Sequence, residues 1–115
     1  MKYDCLFIGN AIVDILTDVS FEFMHDQGIE PGSWRPVEKD EIEKLQSLVP
    51  DNKVASGGSA ANSAVGFSFL GGSSAFTGRV KNDTLGLEYI KDMDDAGVKF
   101  TSNPSESGLD TGRCL

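Results

Sequence analysis

Residues 54–78 carry no charged side chain in 25 consecutive positions, and this feature limits what the chain can become more than any other. A stretch of that length has the span of a membrane helix. Twelve of its 25 residues are Gly or Ser, however, which leaves it far too weakly apolar to insert. It reads instead as a turn, a helix and a strand of a soluble chain. Gly57-Gly58 leads into a helix predicted over 59–70, with Ala61, Val65 and Phe69 on one stripe and Gly71-Gly72 at its end. A strand is predicted over 74–78.

Strands and helices alternate around this segment. Cys5-Leu6-Phe7-Ile8 lies in a continuous apolar run over 3–9, the pattern of a central strand covered on both faces. Residues 12–19, interrupted by Asp14 and Asp18, read as a half-exposed strand. Ser20 is placed to cap a short helix over 21–27, with Gly28 as its left-handed stop. Pro31-Gly32 is a turn and 33–37 a further short strand, with Trp34 as a packing aromatic. Residues 38–49 are helical, with Ile42, Leu45 and Leu48/Val49 on one face, acids in the first turn and Pro50 at the end. Residues 53–56 are extended. A helix over 84–96 carries Leu85, Tyr89/Ile90 and Met93 on its apolar side and Asp92, Asp94 and Asp95 on a solvated one; Asp83 or Thr84 caps it and Gly97 stops it. Strands are expected over 98–101 and 111–115, with a polar loop between them. Such alternation indicates an α/β fold with a mainly parallel sheet. A fold of that class usually takes more than 115 residues, and Arg113-Cys114-Leu115 stops inside a strand pattern. The chain is therefore expected to be the N-terminal part of a larger protein.

Composition narrows the partners. Eighteen acidic against ten basic residues give a net charge of −8, which argues against nucleic acid and against anionic membranes, since both call for a basic surface. Two cysteines, Cys5 and Cys114, form neither a disulfide framework nor a metal site by spacing, and the N-terminus lacks the basic region of a signal peptide. A cytoplasmic protein with reduced thiols is expected. His25 has no neighbouring ligand set and reads as a solvated helix residue.

Three motifs carry the candidate chemistry. In Gly57-Gly58-Ser59-Ala60-Ala61-Asn62 the glycines allow a ligand close to the backbone, the helix start offers N–H groups, and the Asn62 amide brings both a donor and an acceptor. This suits a neutral polyhydroxy ligand. The Gly-Lys-Ser/Thr ending of a phosphate-binding P-loop is missing, and an ordinary tight turn is the alternative. In Gly9-Asn10-Ala11-Ile12-Val13-Asp14 a carboxylate follows a strand-ending glycine, at the end of an α/β sheet where ligands bind. It suits a pair of adjacent hydroxyls, or else is a surface acid. The Gly-x-Gly-x-x-Gly of a dinucleotide-binding oxidoreductase is absent from it. Residues 78–86 read as a strand-to-helix connection with Asp83 as N-cap.

Taken in order, these pieces resemble the N-terminal portion of the ribokinase-like (PfkB-type) carbohydrate kinase family. The Gly57-Gly58-Ser59-Ala60-Ala61-Asn62 run, Leu70-Gly71-Gly72 and Gly78-Arg79-Val80…Asp83…Gly86 are similar to its first motif at the usual spacing. The opening Gly9-Asn10…Asp14-Ile15 and closing Thr111-Gly112-Arg113-Cys114 look most like the adenosine-kinase-type branch. Lys81 departs from the family's usual Gly.

The resemblance implies a three-layer α/β/α fold with a mainly parallel sheet, of which residues 1–115 are the N-terminal fragment of a single kinase domain. It further implies strands of a small β lid near 13–19, 33–37, 98–101 and 111–115. It implies transfer of a phosphoryl group from ATP to a hydroxyl of a sugar or nucleoside, with Mg²⁺ and often a monovalent cation. Asp14 would bind substrate hydroxyls with Gly57, Gly58 and Asn62, joined by Asn10 in the nucleoside-kinase branch. No catalytic residue is expected in this chain, because the family's Asp-x-x-Gly-Ala-Gly-Asp motif does not occur in it. The fragment alone is expected to be inactive, and homo-oligomers to form through the lid strands. The alternative is a non-catalytic piece that binds a sugar or nucleoside, or self-associates.

Overall fold

The computed structural model describes residues 2–49 and 51–115. Along the chain run β1 (Cys5–Ile8), β2 (Ile12–Leu16), α1 (Phe21–Asp26), α2 (Lys39–Leu48), β3 (Lys53–Gly57), α3 (Ser59–Phe69), β4 (Ser74–Thr77), α4 (Thr84–Asp95), β5 (Val98–Phe100) and β6 (Gly112–Cys114). They fall into two units. One comprises the residues up to Asp14 with Val54–Cys114, the other Ile15–Lys53 with Leu115.

The larger unit is built on a parallel sheet of order β1-β4-β5, in register Cys5↔Ser74 and Ser74↔Val98. β4, the central strand, buries Ser74, Ala75 and Phe76 alike, on both faces. Period two holds in the edge strand β5, where Val98 and Phe100 are buried and Lys99 between them is exposed. α3 packs on β1 and β4, and α4 packs on β5. Phe76, Phe100 and Tyr89 of α4 form a triangle with ring centroids 5.9–6.2 Å apart. The Ser74 hydroxyl donates to the Ala64 carbonyl at 3.1 Å and fixes α3 on β4.

The second sheet has the order β3-β2-β6. β2 and β6 run parallel, with Ile12 opposite Gly112 and Asp14 opposite Cys114. Two of the four segments expected to form a small lid sheet, 13–19 and 111–115, supply these strands. The other two are corrected. Residues 98–101 join the main sheet as β5, because the β4–α4–β5 crossover returns the chain beside β4 and buries Val98 and Phe100 under the helices. Residues 33–37 form no strand. Pro36 has no N–H to give a ladder, the Ser33 N–H is spent in a turn on the Glu30 carbonyl (3.1 Å), and Arg35 pairs with Glu41. Trp34, expected to pack, is 79% exposed.

β1 also departs from expectation. Phe7 packs on Phe67 of α3 (5.9 Å), but Leu6 and Ile8 on the opposite face are 54% and 72% exposed, since α3 covers only one side of the strand.

In the smaller unit, local signals are read as expected. The Ser20 hydroxyl accepts from Phe23 N–H and caps α1, and Gly28 follows in the left-handed region at φ 67°. α2 buries Ile42. Pro50, expected to end α2, lies outside the described residues.

Candidate functional site

Period two in β2 buries Val13 and Ile15 and turns Asp14, between them, to the other face, half-buried. Asp14 meets the end of β3 there. Gly57 approaches so closely that a Cβ on it would stand 2.6 Å from the Asp14 carboxyl carbon, so a backbone without a side chain is required. Gly58 has φ 96° and ψ 137°, and a Cβ there would strike the Asn10 carbonyl oxygen. A Cβ on Gly9, at the end of β1, would lie 2.7 Å from the Ala60 methyl, so the first turn of α3 packs directly on the chain leaving β1.

Asn10, Asp14, Gly57 and Gly58 are thus brought together. Asn62 is exposed one turn into α3, and its N–H closes that turn on the Gly58 carbonyl at 2.9 Å. Gly58, the N-cap of α3, supplies no side-chain cap, which leaves the first amides of the helix available to an oxygen-rich ligand. The result sets a carboxylate acceptor beside backbone donors, a combination suited to hydroxyl groups.

Two residues behind this site escape a reading by sequence. The Tyr89 hydroxyl, buried in the core, donates to the Gly57 carbonyl at 3.0 Å. Burial, with the nearby Asp14 and Asp92 carboxylates, pushes its pKa up to about 12. Asp92, expected on a solvated face, accepts the Ser56 N–H at 2.7 Å, and the Ser56 hydroxyl together with this N–H holds its carboxyl below the usual range. The one sequence signal for the pair is their three-residue spacing on α4.

Residues 78–86 have the structural role expected of them. Asp83 accepts from Gly86 N–H (2.8 Å), capping α4, and from the hydroxyl and N–H of buried Thr111 (2.6 and 3.0 Å). Lys81 keeps a negative φ, like every described non-glycine residue, and its ammonium pairs with Asp110 at 2.9 Å; the departure from Gly therefore leaves this turn intact. Burial pushes the Asp83 carboxyl up, but the bonds from Thr111 and Gly86 outweigh it and the net position is below the usual carboxylate value. Asp83→Ala is expected to cost roughly 2–3 kcal/mol in urea denaturation. Because the folded value is the lower one, this stabilisation is complete above the unfolded value of 3.8 and fades as the pH falls below it, so wild type and variant should converge in acid.

His25 is exposed on α1, and Cys5 and Cys114 are free thiols. Among the described residues no helix is long and apolar enough to cross a membrane.

The parallel sheet, the Gly57-Gly58 turn and the carboxylate beside it define a ribokinase-like α/β fold with a polar site at the start of α3. Residues 34–115 match the pfkB family carbohydrate kinases, and the chain belongs to that family. It is similar to the crystal structure of adenosine kinase from Sinorhizobium meliloti, with a TM-score of 0.85 and 40% identity over 98% of this chain and 35% of that one. It is similar also to a probable sugar kinase from Rhizobium etli CFN 42, with a TM-score of 0.84 and 35% identity over 96% of this chain and 34% of the other. A probable fructokinase-7 of Arabidopsis thaliana is 44% identical over 59 residues, which are 47% of this chain and 17% of the plant protein. The chain spans about a third of the length of these solved relatives.

Proposed function

We propose that this chain forms the acceptor side of an ATP-dependent kinase acting on a hydroxyl of a sugar or nucleoside. The observation that carries the reading is the close approach of Gly57 to the Asp14 carboxylate, next to Gly58 and Asn10. An ionised carboxylate accepts from two vicinal hydroxyls at once, and a side chain on either glycine would obstruct the site. Asn62 adds a donor and an acceptor from α3, and Asn10 is the contact expected to matter for a nucleoside. The Asp14 carboxylate orients the acceptor; it is not the base.

ATP, Mg²⁺ and a monovalent cation are what the family implies for the reaction. Among the described residues no group of three or more His, Cys, Asp or Glu could hold a metal ion. Positioning and charge stabilisation of the transferred group belong to the Asp-x-x-Gly-Ala-Gly-Asp motif, which these 115 residues do not contain. The purified 115-residue chain should therefore give no ATP-dependent phosphorylation of adenosine, ribose or fructose. Turnover by the pure chain that disappears in Asp14→Ala would overturn this assignment.

A chimera tests the positive half. This chain replaces the matched 35% of the Sinorhizobium meliloti adenosine kinase, and the product is expected to phosphorylate a nucleoside or sugar. A folded but inactive chimera, beside an active parent, would reject the reading. The second reading is a non-catalytic piece that binds the same ligands or self-associates. It is favoured by the position of β6 at the edge of its sheet, where a further strand can add. A cytoplasmic location fits the two free thiols.

A further inference from the structure

We propose that Tyr89 and Asp92 of α4 are positioning residues for the acceptor site, holding the last two residues of β3 so that Gly57 stays against the Asp14 carboxylate. The inference rests on the reading of Asp14 as the acceptor-binding group. β3 lies at the edge of its sheet, with a strand on one side only. The backbone of its last two residues, Ser56 and Gly57, is held instead by two side chains of one helix, three residues apart and hence on one face. Asp92 accepts a hydrogen bond from the Ser56 N–H at 2.7 Å, and the Tyr89 hydroxyl donates one to the Gly57 carbonyl at 3.0 Å.

The packing of Tyr89 needs only its ring. That ring lies 6.2 Å from Phe76 and 6.0 Å from Phe100, contacts a phenylalanine would keep. The hydroxyl adds one bond, and that bond ends on the residue that touches Asp14. Burial and the neighbouring carboxylates keep the phenol protonated, hence a donor, far above neutral pH. There is little slack for this backbone to move. Gly57 is pressed on Asp14, and Gly58, next along, has φ 96° and lies against the Asn10 carbonyl. Loosening either arm of the clamp should let the Gly57-Gly58 turn drift and disorder the site.

The test uses the 115-residue chain, with adenosine and fructose as probes titrated by calorimetry, and amide hydrogen exchange at Asn62, whose N–H reports the turn through its bond to the Gly58 carbonyl. Tyr89→Phe and Asp92→Ala are each expected to speed Asn62 exchange and weaken probe binding by about tenfold, the effect of one lost hydrogen bond of about 1.4 kcal/mol. Asp92→Asn keeps an acceptor and should stay within about twofold of wild type. Met93→Leu, at a fully buried position of the same helix, controls for stability: it should lower the melting temperature and move neither readout. Unchanged exchange in Tyr89→Phe or Asp92→Ala, or a change no larger than in Met93→Leu, would overturn the proposal. Should Tyr89→Phe fail to fold, Asp92→Ala on the helix surface decides alone. If the wild type binds neither probe, the acceptor reading of Asp14 fails, and the clamp stands or falls on the exchange data.

Discussion

Asp14→Ala in the chimeric kinase is expected to lower kcat/KM for the acceptor substrate by at least about tenfold. A carboxylate holding two hydroxyls makes two charge-assisted hydrogen bonds, worth on the order of 1.5–3 kcal/mol each before non-additivity, and about 1.4 kcal/mol is a factor of ten. Part of the loss should appear in KM, because the contact is to a hydroxyl pair of the bound ground state. The KM for ATP should hardly change. Stability is expected to survive the substitution: Asp14 is half-buried, its burial partner Gly57 has no side chain to collapse, and the neighbouring Val13 keeps its packing. A melting temperature near that of the unaltered chimera therefore separates a lost contact from a lost fold. Asn62→Ala should act in the same direction, since its amide is proposed as a further contact to the acceptor. His25→Ala should do nothing, since that side chain is exposed to solvent on α1. Equal activity in all three variants would mean that the acceptor is bound by other residues.

The parts of this fold that sequence discloses are those settled within a few residues. Ser20 and Asp83 cap their helices because an oxygen three residues ahead of an N–H is a local arrangement, and Gly28 and Gly97 take φ 67° and 81° at helix ends for the same reason. What sequence does not disclose is which surfaces meet. The apolar stripe read on α3 is Ala61, Val65 and Phe69, yet the buried residues are Ala61 and Ala64, while Phe69 is 88% exposed. Close packing selects the small side chains here, since α3 must approach β4 nearly enough for Ser74 to reach the Ala64 carbonyl. Val98-Lys99-Phe100 announces a strand but not its sheet, because membership depends on a crossover and not on the tripeptide. The site divides in the same way. Gly57, Gly58 and Asn62 form one local motif, the run from Gly9 to Asp14 offers the carboxylate, and the family resemblance adds Asn10. Tyr89 and Asp92 act 32 and 36 positions from their partners, and their three-residue spacing on α4 does not say which residues those are.

Gly58→Ala should be among the most destabilising single-methyl additions in the chain, costing at least about 3 kcal/mol in urea denaturation of the 115-residue protein. Two costs combine at this position. With φ 96° and ψ 137° the backbone lies in a region that side chains rarely enter, and the added methyl would run into the Asn10 carbonyl oxygen. Relief by movement is blocked on both sides. Gly57 is held against Asp14, and the Gly58 carbonyl accepts the Asn62 N–H that closes the first turn of α3. The backbone would have to give up either that turn or the contact with the chain leaving β1. Gly28→Ala is the control that isolates strain from collision. Its φ of 67° is also positive, but a Cβ there meets nothing within 4 Å. Only the conformational penalty of roughly 1–2 kcal/mol should remain. The difference between the two variants measures how tightly the site is packed. Equal losses would show that the Asn10 carbonyl can move aside, and the site would then be a softer structure than its geometry indicates.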